Sequence, residues 1–266
     1  MNNNINFKSH GDSAYNLAHE LWPINRSLTG EGVRKTLDIL KREITELKIK
    51  TVPSGFKAYD WKVPQEWKVN SAWIETPDGE KICEFSKNNL HLVGYSKHFK
   101  GSLTLAELQN HLHSIEDNPN AIPYVTSYYQ SAWGFCIKQN DRNKLKKGVY
   151  KVNVDTNHFD GELNYGEIVI KGKSKKEVLF STYICHPSMG NNELSGPLVS
   201  QALVKIINKN KNNFFTYRFI FIPETIGAIV YIKKNLKFLK KNLKAGFVIT
   251  CVGDEGEFSY IPSRYG

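Results

Sequence analysis

Three apolar runs in the second half of the chain each end in a residue that can bind a metal or move a proton. Glu177 to Cys185 (EVLFSTYIC) runs into Cys185-His186, Tyr217 to Pro223 (YRFIFIP) into Glu224, and Gly246 to Gly253 (GFVITCVG) into Asp254. In an open α/β sheet, ligands bind in the crevice beyond the carboxyl ends of the strands. Imidazole nitrogen and carboxylate oxygen are the usual donors to a catalytic Zn²⁺, so the three ends together suggest a hydrolytic metal site. The loop from His186 to Pro197 adds Ser188, Asn192 and Glu193. Asn192 and Glu193 stand just before a helix, where an amide or carboxylate can cap the helix or face a cation. Ser195 lies in no GxSxG elbow, which disfavours a serine nucleophile.

The elements that must hold these residues follow from periodicity. Near-continuous apolar strands alternating with helices, at Leu194 to Asn208 and around Gly227 to Leu236, read as βαβ units of a parallel sheet. Earlier, a helix is expected over Ser13 to Leu21. A second begins near Thr29 to Gly32, with Val33, Leu37, Leu40, Ile44 and Leu47 on one stripe, and a strand follows at Ile49 to Val52. From Phe56 the chain turns aromatic and polar. Short strand candidates (Val69 to Ile74, Leu90 to Tyr95, Trp133 to Lys138) flank a helical run at Thr104 to His113, which reads as a small inserted module. The division expected is an α/β domain over 1–55 and 149–266 with a module over 56–148. The module's His111 and His113 are two apart and make poor co-ligands on a helix.

The 266 residues carry a formal charge of +10. Met1 to Trp133 holds 15 basic and 15 acidic residues, and Gly134 to Gly266 holds 21 and 11. Only six of the 36 cationic residues are arginines, whereas readers of bases and phosphates favour the bidentate guanidinium. Nucleic acid is therefore not the expected partner. Cys83, Cys136, Cys185 and Cys251 show no paired spacing and read as free thiols. The polar start lacks a signal-peptide core, and no run of about 18 apolar residues predicts a membrane span. A cytoplasmic protein is expected, with no oligomeric state implied.

Val178 to His186, Asn191 to Gly196 and Phe221 to Gly227 resemble the zinc aminopeptidase fold of co-catalytic metallo-exopeptidases. Leu21 to Gly30 (LWPINRSLTG) and Cys185 to Ser188 are similar to a narrower bacterial family, aminopeptidase-like proteins with an inserted small domain that often occur with surface-polysaccharide genes. The resemblance implies an α/β fold with a mixed, largely parallel sheet flanked by helices, and a small β-rich insertion. It also implies a metal-dependent hydrolase acting on a small peptide or amide substrate. His186 matches the first zinc ligand, Glu224 the general base and Asp254 a ligand after a later strand. The wider pattern has acidic residues where this chain has Ser188, Asn192 and Thr225. One zinc, on His186 with Glu193 or Asp254, is accordingly expected rather than two. Relatives of this kind continue beyond the position of Gly266 with further strands and a late His ligand, so the chain is expected to be incomplete as a catalyst. The alternative is a degenerate relative that binds a peptide or sugar without turnover.

Overall fold

The computed structural model describes residues 6–264. Asn6 opens the first helix, α1 (Phe7–Leu21), by accepting the backbone N–H of Ser9 at 3.0 Å. This cap starts the helix well before Ser13, because a polar side chain satisfying a free N–H outweighs the low helix propensity of the segment. Helix α2 (Glu31–Glu43) buries Val33, Leu37 and Leu40, while Ile44 and Leu47 stay in the core after it ends. Strand β1 (Lys48–Pro53) follows.

The middle of the chain contains β2 (Lys57–Ala58), β3 (Trp61–Lys62), β4 (Glu66–Glu75), β5 (Lys81–Ile82), β6 (Phe99–Thr104), α3 (Leu105–Gln109), β7 (Leu112–His113), β8 (Phe135–Cys136), α4 (Gln139–Arg142) and β9 (Val149–Phe159). The order β5-β4-β9-β6 forms an antiparallel sheet. Strand β9 thus belongs with the middle segment, and the return to the α/β part comes at β10 (Glu162–Ile170) rather than at residue 149. Only Asp160 and Gly161 separate these two strands, so no composition shift marks the crossing. The helix expected over Thr104 to His113 shrinks to α3, opened by a Thr104–Glu107 capping box, because Leu112 and His113 pair with β8 instead. Leu90 to Tyr95, expected as a strand, holds the end of a short 3₁₀ turn and irregular chain.

After β10 come β11 (Glu177–Tyr183), α5 (Ser195–Lys209), β12 (Thr216–Ile222), α6 (Ile226–Asn242) and β13 (Leu243–Val248). They complete a mixed five-stranded sheet of order β1-β10-β12-β11-β13. Strands β11, β12 and β13 run parallel, and β1 and β10 add on antiparallel. Alternation along β12 serves two cores. Phe219 and Phe221 pack with α1, α2 and α5, whereas Ile220 and Ile222 join Val230, Tyr231 and the inserted sheet's Tyr150 and Val152 on the other face. Helix α5 can sit this close to the sheet only because position 196 is glycine. A Cβ there would lie 2.3 Å from Thr182 Oγ1 and 2.4 Å from the carbonyl oxygen of Ile249.

One buried polar cluster ties strands together. Glu167 accepts from Lys50, from Arg218 at 2.7 Å and from Tyr231 at 2.6 Å, and Arg218 also grips Glu177 at 2.7 Å. Burial pushes the Glu167 carboxyl up, but the bonds from Lys50 and Tyr231 and the Arg218 charge hold it below its ordinary value of 4.5. A carboxylate depressed in the folded state stabilises fully above its unfolded pKa and loses that contribution as pH falls through the folded value. Thermal unfolding followed by circular dichroism should therefore show the Glu167→Gln penalty at pH 7 shrinking below about pH 4. A penalty independent of pH would contradict this. Among the described residues, no helix is long and apolar enough to cross a membrane.

Candidate active site

Strands β11 and β12 are neighbours, parallel, and paired Tyr183 with Ile222 at their carboxyl ends. Ile184 continues the pairing to Ile222 at 3.2 Å. That register puts Cys185-His186 and Glu224 side by side just beyond the sheet. The Glu224 N–H donates to Cys185 Sγ at 3.2 Å, and His186 Nε2 lies 3.3 Å from Glu224 Oε2. The Glu224 side chain is half exposed and faces solvent, while His186 is buried. Tyr124 and Tyr183 set their rings edge-on to the imidazole, each with centroids at 5.2 Å.

The other side of the imidazole is equally fixed. A π-helical turn at Gly190–Leu194 leads into α5 and buries Glu193. His186 Nδ1 lies 2.9 Å from Glu193 Oε2. Arg26, itself 1 % exposed, donates from Nε to the carbonyl of His186 at 2.9 Å and from Nη1 to the carbonyl of Leu21, at the end of α1, at 2.7 Å. Its Nε is also 3.3 Å from Glu193 Oε1. Burial raises the pKa of Glu193, opposed by the bond from His186 and the charge of Arg26, and burial lowers that of Arg26. A guanidinium keeps its charge even so. The result is a continuous line from Arg26 through Glu193 and His186 to Glu224.

A carboxylate thus stands on each side of the ring, Glu193 at Nδ1 and Glu224 across a 3.3 Å gap from Nε2. A carboxylate behind a histidine is also the arrangement that orients metal-binding imidazoles. Yet the described residues supply only two donors at this gap, and a catalytic zinc takes three protein ligands. They do not make a zinc site by themselves.

The remaining expected donors are placed elsewhere. Glu193 lies on the Nδ1 side of the ring, away from the gap. Cys185, His186 Nδ1 and Glu193 do form a buried trio within 4.8 Å. Burial pushes the Cys185 thiol well up, and on the same side Arg26 Nε already lies 3.3 Å from Glu193 Oε1. Asp254 is exposed and accepts from Asn191 in the π-helical turn and from the Gly256 N–H at 2.9 Å, and among the described residues no hydrogen bond or ion pair joins it to His186 or Glu224. The cause is that β13 ends at Val248 and the chain turns at Cys251, with φ 52°, instead of running on to Gly253. Asn192 is exposed, with its amide near Cys251 Sγ at 3.9 Å and its carbonyl accepting from Thr250. Ser188 is buried and donates to the carbonyl of Trp22 at 3.0 Å, which locks the loop to α1. Three participants had no role in the sequence reading: Arg26, Tyr124 and Tyr183. For Arg26 a signal was there, a lone cation in the run LWPINRSLTG.

Comparison with known proteins decides the family. Residues 15–266 match the model described as Domain of unknown function (DUF4910). The chain belongs to the DUF4910 family. A Clostridium acetobutylicum relative of this DUF4910 chain, named for polysaccharide biosynthesis and an aminopeptidase-like domain, is 45% identical over 256 residues, 96% of this chain and 58% of that protein. A crystal structure from the same organism, named as a peptidase, aligns with TM-score 0.89 at 45% identity, covering 94% of this chain and 58% of that one. A zinc aminopeptidase from Bacillus subtilis aligns with TM-score 0.61 at 12% identity over 92% of this chain and 69% of its own. The DUF4910 chain therefore has the zinc aminopeptidase fold, and it spans little more than half the length of the Clostridium proteins it matches.

Proposed function

We propose that the crevice beyond β11 and β12 is the proton-handling centre of a hydrolase acting on a peptide or amide bond. The observation that carries this reading is the half-exposed Glu224 carboxylate held 3.3 Å from His186 Nε2, with the imidazole fixed from behind by Glu193. Glu224 takes the proton of an attacking water and passes it to the leaving amine, a role that requires a carboxylate open to substrate and a partner that keeps it in place. His186 is that partner. Tyr124 and Tyr183 wall the imidazole and limit water to the open side. The two donors here, His186 Nε2 and Glu224, would hold a zinc only with further ligands, and a zinc held there would polarise the scissile carbonyl and make water more acidic. The Clostridium relative is named for polysaccharide biosynthesis, which supports testing amide-linked substituents on sugars as well as peptides.

The reading is tested by incubating the chain with aminoacyl-nitroanilides and with acylated amino sugars, with added Zn²⁺ and with chelator. Cleavage of either class is the expected result, and a loss with chelator that Zn²⁺ restores would add a metal to the site. Cleavage indifferent to chelator contradicts the metal, and no cleavage of either class with Zn²⁺ present contradicts the hydrolase.

A further inference from the structure

A second cleft lies away from His186, where the inserted sheet meets the turn after β1. Its volume is about 910 Å³, and its walls are rich in hydroxyls and amides, among them Ser54, Gln65, Gln130 and Asn157. Lys62 and Lys97 face it, and neither is paired with a carboxylate among the described residues. One carboxylate also lines the cleft, Asp160, which accepts from the Gln65 amide at 3.0 Å, so the lining keeps two lysines against one acidic group. The exposed ring of Tyr129 lines the cleft, and Trp61, outside the lining, packs edge to face against it with centroids at 5.5 Å. Tyr129 occupies the left-handed region, φ 62°, in a turn closed by Gln130 N–H to the Ser127 carbonyl. Glycine is the ordinary occupant of such a conformation, and strain of this kind clusters at ligand sites. Here it turns a large ring outward over the cleft.

We propose that this cleft binds an acidic saccharide, a sugar chain bearing carboxylates. A pyranose presents an apolar C–H face and a rim of hydroxyls, which match an aromatic edge beside amides and hydroxyls. Two unpaired lysines add the complement for its carboxylates. Two cations without a guanidinium are a poor match for a nucleic-acid backbone. The loop carrying Tyr129 also carries Tyr128, whose hydroxyl lies 2.9 Å from that of Tyr124 beside His186. Binding of a chain in this cleft does not depend on turnover at Glu224.

Calorimetric titration with hexagalacturonate tests the assignment, with maltohexaose and a thymidine hexanucleotide as comparisons. Hexagalacturonate is expected to bind with a Kd below about 1 mM, weakened about tenfold or more by Lys97→Gln and by Trp61→Ala. The proposal is overturned by no binding at about 10 mM, by equal affinity for maltohexaose, by tighter binding of the hexanucleotide, or by unchanged affinity in folded Lys97→Gln and Trp61→Ala.

Discussion

Replacing Glu224 with Gln is expected to lower kcat/KM for amide hydrolysis by about 10²- to 10⁴-fold, the usual contribution of a positioned general base. The amide keeps the size of the carboxylate and loses its ability to accept a proton. The side chain is 51% exposed, so little packing is disturbed, and stability should change by no more than about 0.5 kcal/mol. A rate loss without a Tm change separates chemistry from folding. If Glu224→Gln hydrolyses substrate at the wild-type rate, Glu224 is not the base.

Arg26→Met should act in the opposite way, chiefly on stability. Its side chain is fully buried, and so is that of Glu193, which it partners at 3.3 Å. Methionine fills much of the volume but leaves Glu193 without its countercharge and the carbonyls of Leu21 and His186 without their donor. Breaking a buried pair from one side costs about 3–5 kcal/mol. For a chain of this size that corresponds to a fall in Tm on the order of 10 °C. The double replacement Arg26→Met with Glu193→Leu should recover part of the loss, because it removes the stranded charge. A Tm within about 1 °C of wild type for Arg26→Met would show that the guanidinium is not buried against Glu193.

These two residues mark how far the sequence could be read. Glu224 was legible because an apolar strand that ends abruptly in a carboxylate is visible as a pattern, and the same logic found His186. Their meeting depends on β11 and β12 being neighbours in register, which sequence order alone does not dictate. Glu193 was legible as a carboxylate near the site, but its side of the ring was not. A π-helical turn decides that, and its residues look like any helix start. Asp254 was expected at the site because the apolar run continues to Gly253, whereas pairing stops at Val248 and the backbone turns at Cys251. Arg26 is 160 residues from His186, and its burial follows from tertiary packing that no local pattern encodes. The alternation of strands and helices after residue 160 was clear, because strands buried on both faces leave apolar runs. The place where the inserted sheet ends was not, because β9 and β10 are consecutive strands in different sheets.

The central claim is that Arg26, Glu193, His186 and Glu224 act as one unit, and a double-mutant cycle on amide hydrolysis tests it most directly. Glu193→Gln alone should slow turnover by about 10- to 100-fold, as loss of a carboxylate behind a functional histidine usually does. Residues that work as a unit are strongly non-additive, so Glu193→Gln with Glu224→Gln should be about as slow as Glu224→Gln alone. Penalties that simply multiply would mean that Glu193 and Glu224 act independently, which contradicts the account.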